Sequence, residues 1–133
     1  MASIEERRAR GSAIYDKMFG PELTRELHGE IRAPDDVSDL YREITFGEIW
    51  ARPGLDLKTR ALITIAALTV LGRERQLYYF IRGALNIGVT RQEIEEVLRQ
   101  MLVYGGAPVM YNGFHVLGRV FAEMDRQTGG SPG

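Results

Sequence analysis

Glycine and proline cut this chain into helix-length pieces, and that punctuation limits the fold more than any other feature. The breaks fall at Gly20-Pro21, Pro34, Pro53-Gly54, Gly72, Gly88 and Gly105-Gly106, with Pro108 just beyond. Glycine destabilises a helix interior through backbone entropy, and proline lacks the amide hydrogen that a helix needs. Between the breaks, apolar residues recur every three or four positions, which is the period of an amphipathic helix. No stretch alternates with the period of a strand. The expected fold is all-α: one helical bundle over residues 1–127, followed by a disordered tail at 128–133 (TGGSPG).

The helices are expected as follows. One runs from about Ser3 to Met18, and a short one follows Gly20-Pro21. Pro34-Asp35-Asp36 reads as a turn and N-cap for a helix to about Trp50. Asp56 caps the next, which reaches Leu71 and is apolar nearly all round, so it is expected to be central and buried. Leu77, Phe80, Ile81, Ala84 and Leu85 mark one face of another, ended by Gly88 at its C′ position. Thr90 and Glu93 form a capping box for a helix carrying Ile94, Val97, Leu98, Met101 and Leu102. In the last helix, Met110, Phe114, Leu117, Phe121 and Met124 form a seam that calls for a partner helix, inside the subunit or in a neighbour.

Composition removes several functions. There are no cysteines, so disulfides, thiolate metal sites and thiol catalysis are excluded. The 17 basic and 18 acidic residues nearly cancel, which leaves no electrostatic footprint for nucleic acid or an anionic membrane. The polar start MASIEERRAR is not a signal peptide, and Ala61 to Leu71 is about half a bilayer span. A cytoplasmic location is expected. Two distant histidines make a poor metal site, and no phosphate loop, dinucleotide fingerprint or serine triad is present. Arg7, Arg8 and Arg10 follow Glu5 and Glu6, a mixture that reads as a solvated helix face.

The most informative segment is Phe46-Gly47-Glu48-Ile49-Trp50-Ala51-Arg52-Pro53-Gly54-Leu55. It gathers a carboxylate, an indole and a guanidinium around a helix end. Glu48 and Arg52, four apart, are also spaced for a simple ion pair on a helix face. Together with Lys58-Thr59-Arg60, with Arg82-Gly83-Ala84-Leu85-Asn86 through Ile94, and with Tyr104-x-Gly106-x-Pro108 followed by Asn112, this segment resembles the carboxymuconolactone decarboxylase family. The resemblance covers roughly Leu40 to Met124.

That resemblance implies an all-helical homo-oligomer, a trimer or hexamer, with pockets between helices, acting on a small molecule without metal or organic cofactor. It implies loss of CO2 from a lactone acid, with the electrons spreading into the conjugated carbonyl. Glu48 matches the family glutamate and is the candidate for proton transfer. Arg52 and Arg60 match arginines of the family pattern and suit an anionic substrate by bidentate pairing. A cation is needed where charge develops, and Arg60 is the catalytic candidate with Arg52 as a substrate-binding one. Trp50, Tyr79, Phe80, Tyr111, Asn112 and His115 are the candidate substrate-binding residues. Tyr111 and Asn112 also suit plain helix packing, and His115 a solvated surface. His28 lies apart in a polar stretch.

One departure is chemically decisive. The family commonly shows E-L-x-x-H just before its R-G-A-L segment, whereas this chain has Gln76-Leu77-Tyr78-Tyr79-Phe80. Phenylalanine neither transfers a proton nor donates a hydrogen bond. The expectations are therefore a cofactor-independent lyase or isomerase on a small oxygenated cyclic acid or lactone, or alternatively a helical oligomer that binds or scaffolds without turnover. Carboxymuconolactone itself is expected to be a poor substrate. A kcat/KM on the order of 10⁴ M⁻¹s⁻¹ or more in a steady-state assay would show that another group does the work of the histidine.

Overall fold

A side-chain cap fixes where the first helix begins, and glycine and proline set the next two. The computed structural model describes residues 2–129. Helix α1, Ile4–Met18, starts at Ser3, whose hydroxyl accepts the amide of Glu6 at 3.1 Å. Gly20 takes a left-handed φ of 68° and turns the chain directly into α2, Gly20–Glu30, with Pro21 in its first turn. Extended Pro34 precedes α3, Asp35–Leu40. Asp35 and Asp36 stand in the first turn of α3, where they face the positive end of the helix dipole; no side chain caps it.

The expected helix to Trp50 is continuous but not uniform. From Tyr41 to Trp50 it is wound as a π-helix. This widening stacks residues five apart. Tyr41 and Phe46 are such a pair, with ring centroids 5.3 Å apart, edge to face. Apolar periodicity does not reveal a π segment, because Phe46 and Trp50 suit either winding.

The chain divides into two compact units at Arg60 and Ala61. In the first, α1 packs against the π segment. Phe46 is the hub: it meets Tyr15 at 5.5 Å, Phe19 at 6.2 Å and Trp50 at 5.3 Å. Trp50 is buried, as are Tyr15, Met18 and Phe19. Two glycines permit the crossing. A Cβ on Gly11 would lie 1.9 Å from the carbonyl oxygen of Arg42, and one on Gly47 would lie 2.2 Å from that of Arg7.

Asp56 accepts the Thr59 amide at 2.7 Å and so caps α4, Leu57–Leu71. The expectation that α4 is buried all round is not met within the chain. Only Ala61, Ile65 and Thr69, one i,i+4 row, are buried, while Ile63, Val70 and Leu71 are exposed. Apolarity around a helix reports what the sequence can cover, not what its own chain supplies.

In the second unit, α5 (Glu74–Asn86) buries Leu77, Ile81 and Ala84. Gly88 ends it: its amide bonds to Leu85 and that of Val89 to Ala84, the Schellman pattern with φ of 95° at the glycine. The Thr90–Glu93 capping box forms as expected, at 3.1 and 2.9 Å, and opens α6, Arg91–Gly105. Gly106, with φ of 90°, leads into α7, Ala107–Gln127, which packs on α5 and α6.

The seam expected on α7 is rotated. The buried row is Gly113, Val116, Leu117 and Val120, so Leu117 alone of the five expected residues is buried. Phe121 and Phe114 instead lie half-buried under the guanidiniums of Arg91 and Arg99, at 4.4 and 6.0 Å. Gly113 causes the rotation: a Cβ there would meet the Leu98 side chain at 2.8 Å, so the helix approaches through its glycine. After Gln127, Thr128 and Gly129 close α7 through the carbonyls of Met124 and Arg126. The rest of the expected disordered tail, 130–133, lies outside the described residues.

The two kinds of glycine separate cleanly in a stability experiment. Gly47→Ala drives a methyl group into backbone and is expected to cost about 3 kcal/mol or more. Gly118→Ala meets nothing within 4 Å and is expected to stabilise by roughly 0.5–1 kcal/mol, the ordinary gain of alanine over glycine in a helix. Urea-unfolding midpoints of the two variants check both signs.

Candidate functional site

The π segment carries two glutamates, and α1 carries the arginines that meet them. Glu43 is 7% exposed, and its two oxygens are held separately: Arg7 Nη2 lies 3.0 Å from Oε1 and Arg8 Nε lies 3.2 Å from Oε2. Five residues on, Glu48 is approached at Oε1 by Arg7 Nε at 3.4 Å and Arg10 Nη2 at 3.7 Å. Arg7 thus touches both carboxylates through different nitrogens.

The expected solvated α1 face holds for Arg8 and Arg10, whose side chains are about half exposed, and is corrected for Arg7, which is 22% exposed. The Gly11–Gly47 crossing lays α1 against the π segment, which turns Arg7 inward onto carboxylates and leaves Arg8 paired at the water-exposed edge. It also replaces the expected Glu48–Arg52 pair. The helix ends at Trp50, so Arg52 sits in the turn beyond it and shares no helix face with Glu48. The Arg7 hydrogen bond holds the Glu43 carboxyl below the usual carboxylate range; Arg8 adds to this and burial partly opposes it.

Two adjoining grooves open beside this cluster. One, of about 260 Å³, is lined by Arg10, Gly47, Glu48, Ala51, Arg52 and Pro53, with Ala2 at its edge. The other, of about 540 Å³, shares Arg10, Ala51, Arg52 and Pro53 and adds Trp50, Leu55 and the start of α4. Arg52 lines both grooves, Glu48 only the smaller and Trp50 only the larger, so the three are neighbours without sharing one cavity. Arg10 joins both grooves and was not foreseen as a site residue. Arg60 donates from Nη2 to the Arg52 carbonyl at 2.9 Å, so it braces the turn that presents Arg52.

The other candidates belong to the second unit. Tyr79 is buried edge to face with Tyr78 at 5.2 Å, whereas its neighbour Phe80 is half-buried, as a 100° step around a helix requires. Tyr111, Asn112 and His115 are exposed on α7. His28 lines a separate polar groove of about 810 Å³ with Arg25, Arg32 and Arg42. Among the described residues, no group of three or more His, Asp or Glu is placed to hold a metal ion, and no helix is long and apolar enough to cross a membrane.

The sequence model of the carboxymuconolactone decarboxylase family matches residues 35–118. This chain belongs to that family. It is 32% identical over 121 residues, 90% of each chain, to the 4-carboxymuconolactone decarboxylase of Acinetobacter baylyi. It is 44% identical over 118 residues, 84% of this chain and 85% of the relative, to an uncharacterized 15.0 kDa protein in the nqo9-nqo10 intergenic region of Paracoccus denitrificans. Over 70 residues, 53% of this chain and 49% of the relative, it is 40% identical to the nitrosuccinic acid decarboxylase npaB of Metarhizium robertsii. The family match spans Glu43, Glu48, Trp50, Arg52 and Arg60 but not α1, so the arginines that grip the two glutamates lie outside it.

The charge cluster makes stability pH-dependent with a defined sign. Glu43 and Asp56 both have lowered carboxyl pKa values, the latter through the Thr59 amide first. Their contribution is present above the unfolded carboxylate range of about 4 and is lost as pH falls through the lowered folded values. Thermal melts followed by circular dichroism are expected to show a falling midpoint below about pH 4. Glu43→Gln is expected to lower the midpoint at neutral pH and to flatten the acid slope.

Proposed function

We propose that this protein is a cofactor-independent lyase that decarboxylates a small oxygenated acid, cyclic or lactone, with isomerisation of such an acid as the related possibility. One observation carries the reading: Glu48, Arg10 and Arg52 line a single small groove, and Trp50 lines the groove beside it. Two of the relatives are named as decarboxylases, one of 4-carboxymuconolactone and one of nitrosuccinic acid, which supports the same class of reaction.

In this reading the arginines supply charge and the glutamate moves a proton. Arg52 pairs with the anionic substrate, Arg10 keeps the groove positive while it pairs with Glu48, and Arg60 holds the turn that carries Arg52. The bond between the carboxylate and its carbon breaks, CO2 leaves, and the electron pair enters the adjoining conjugated carbonyl. A guanidinium stabilises the oxyanion that forms. Glu48 passes a proton, drawn from water, to the carbon that lost CO2. The acid itself is the electron sink.

The same reading makes the protein a cytoplasmic homo-oligomer, a trimer or hexamer. Its support is the apolar surface one chain leaves uncovered: Val103 is 78%, Tyr104 71% and Leu71 63% exposed. A second reading, binding without turnover, is favoured by Gln76 and Phe80, which stand where the family commonly has glutamate and histidine.

A panel of small lactone, keto and nitro acids distinguishes the two. The expected result is CO2 release from at least one member, reduced about 100-fold or more by Glu48→Gln and with KM raised by Arg52→Ala. Trp50 is the only tryptophan, so its fluorescence reports occupancy directly. Fluorescence change with no CO2 from any acid would favour the binding reading.

A further inference from the structure

The π winding has a consequence for the glutamate at the groove. In an α-helix, residues five apart point about 140° away from each other. Over Tyr41–Trp50 the i→i+5 winding returns position 48 to the face of position 43. Both carboxylates therefore face α1, and one guanidinium reaches both. Arg7 Nη2 is 3.0 Å from Glu43 and Arg7 Nε is 3.4 Å from Glu48.

The two glutamates are not equivalent. Glu43 is buried, and each of its oxygens is occupied by a different arginine. It has no access to a ligand. Glu48 has a side chain 40% exposed and lines the 260 Å³ groove. Arg7 and Arg10 make their closest approaches to it at the same oxygen, Oε1. The Arg7–Glu48 contact is an ion pair without hydrogen-bond geometry at Nε, so what Glu43 fixes is the place of the charge: a planar guanidinium anchored by a buried carboxylate stays put, and a flexible ammonium would not. The register of these contacts is set by backbone, since Gly47, next to Glu48, rides on the carbonyl of Arg7 itself.

We propose that Glu43 is a positioning residue: through Arg7 it holds Glu48 in one orientation at the groove, leaving Oε2 for the ligand. This rests on the reading of Glu48 as the proton-transfer group. It goes beyond the family match, because Arg7 lies outside the matched residues. Arg8 pairs with Glu43, and Arg10 approaches Glu48 from the groove side.

The experiment uses the full chain and two readouts. Side-chain NMR of the Glu48 methylene groups, by three-bond couplings and relaxation, reports whether Glu48 occupies one rotamer. Turnover of whichever acid the panel yields reports function. Wild type and Glu43→Asp are expected to keep a single Glu48 rotamer. Glu43→Gln and Arg7→Lys are expected to show averaging, with circular dichroism confirming that both are folded. Arg7→Lys keeps the charge, so it covers the case in which Glu43→Gln does not fold. In the turnover assay, Glu43→Gln is expected to lower kcat about tenfold or more with KM nearly unchanged, and Glu43→Asp to recover most of it. A single rotamer persisting in folded Glu43→Gln or Arg7→Lys overturns the proposal, as does averaging already present in wild type. An unchanged kcat in Glu43→Gln also overturns it. If Glu48 loses its rotamer as expected but no acid is decarboxylated, the positioning holds and the decarboxylase reading falls.

Discussion

In the first unit the packing is backbone on backbone where α1 crosses the π segment at Gly11 and Gly47. A methyl group at either position would sit within 2.2 Å of a carbonyl oxygen of the other element. Such an approach is possible only where both Cβ atoms are missing, and it leaves no freedom to slide. Everything else in that unit follows from its register. It sets Tyr15 and Phe19 of the N-terminal region against Phe46. It also turns one row of arginines onto one row of glutamates. The glycine of the Gly47-Glu48-Ile49-Trp50 motif is therefore structural, and its service to the glutamate beside it is indirect.

The charge cluster behaves differently from a set of surface ion pairs. Exposed pairs contribute little, because water screens them and side-chain entropy opposes them. Here Glu43 is withdrawn from water with both oxygens occupied, so removing a partner leaves a buried charge uncompensated. Arg7, with a side chain only 22% exposed, is shared between a buried carboxylate and a half-exposed one. Sharing makes the contacts interdependent, which is how a buried residue comes to influence one at a groove.

In the second unit the arginines have another use. Arg91 and Arg99 of α6 cover Phe121 and Phe114 of α7, while Arg82 and Arg119 lie over the ring of Tyr78. Aromatic faces that hydrophobic spacing assigns to a core are shielded by the stems and planes of charged residues. Among the described residues, apolar side chains of α4 and of the end of α6 (Ile63, Val70, Leu71, Leu102, Val103 and Tyr104) remain exposed.

Much of this was legible in the residues themselves. Ser3, Asp56, Gly88 and the Thr90–Glu93 pair act locally, through bonds spanning five residues or fewer, so their roles could be read from spacing. Family membership was equally legible, because it rests on ordered motifs. The grouping of Glu48, Trp50 and Arg52 was visible because they are close in sequence around one helix end. What sequence could not supply was handedness of contact at a distance. Arg7 and Glu43 are 36 positions apart, and nothing in a charged N-terminal helix says which carboxylate it will meet. The π winding, the rotation of the α7 seam onto Gly113 and the exposed side of α4 share that origin. Local composition determines which faces are apolar or charged, and only tertiary packing, through the few places where backbones can touch, decides which face meets which.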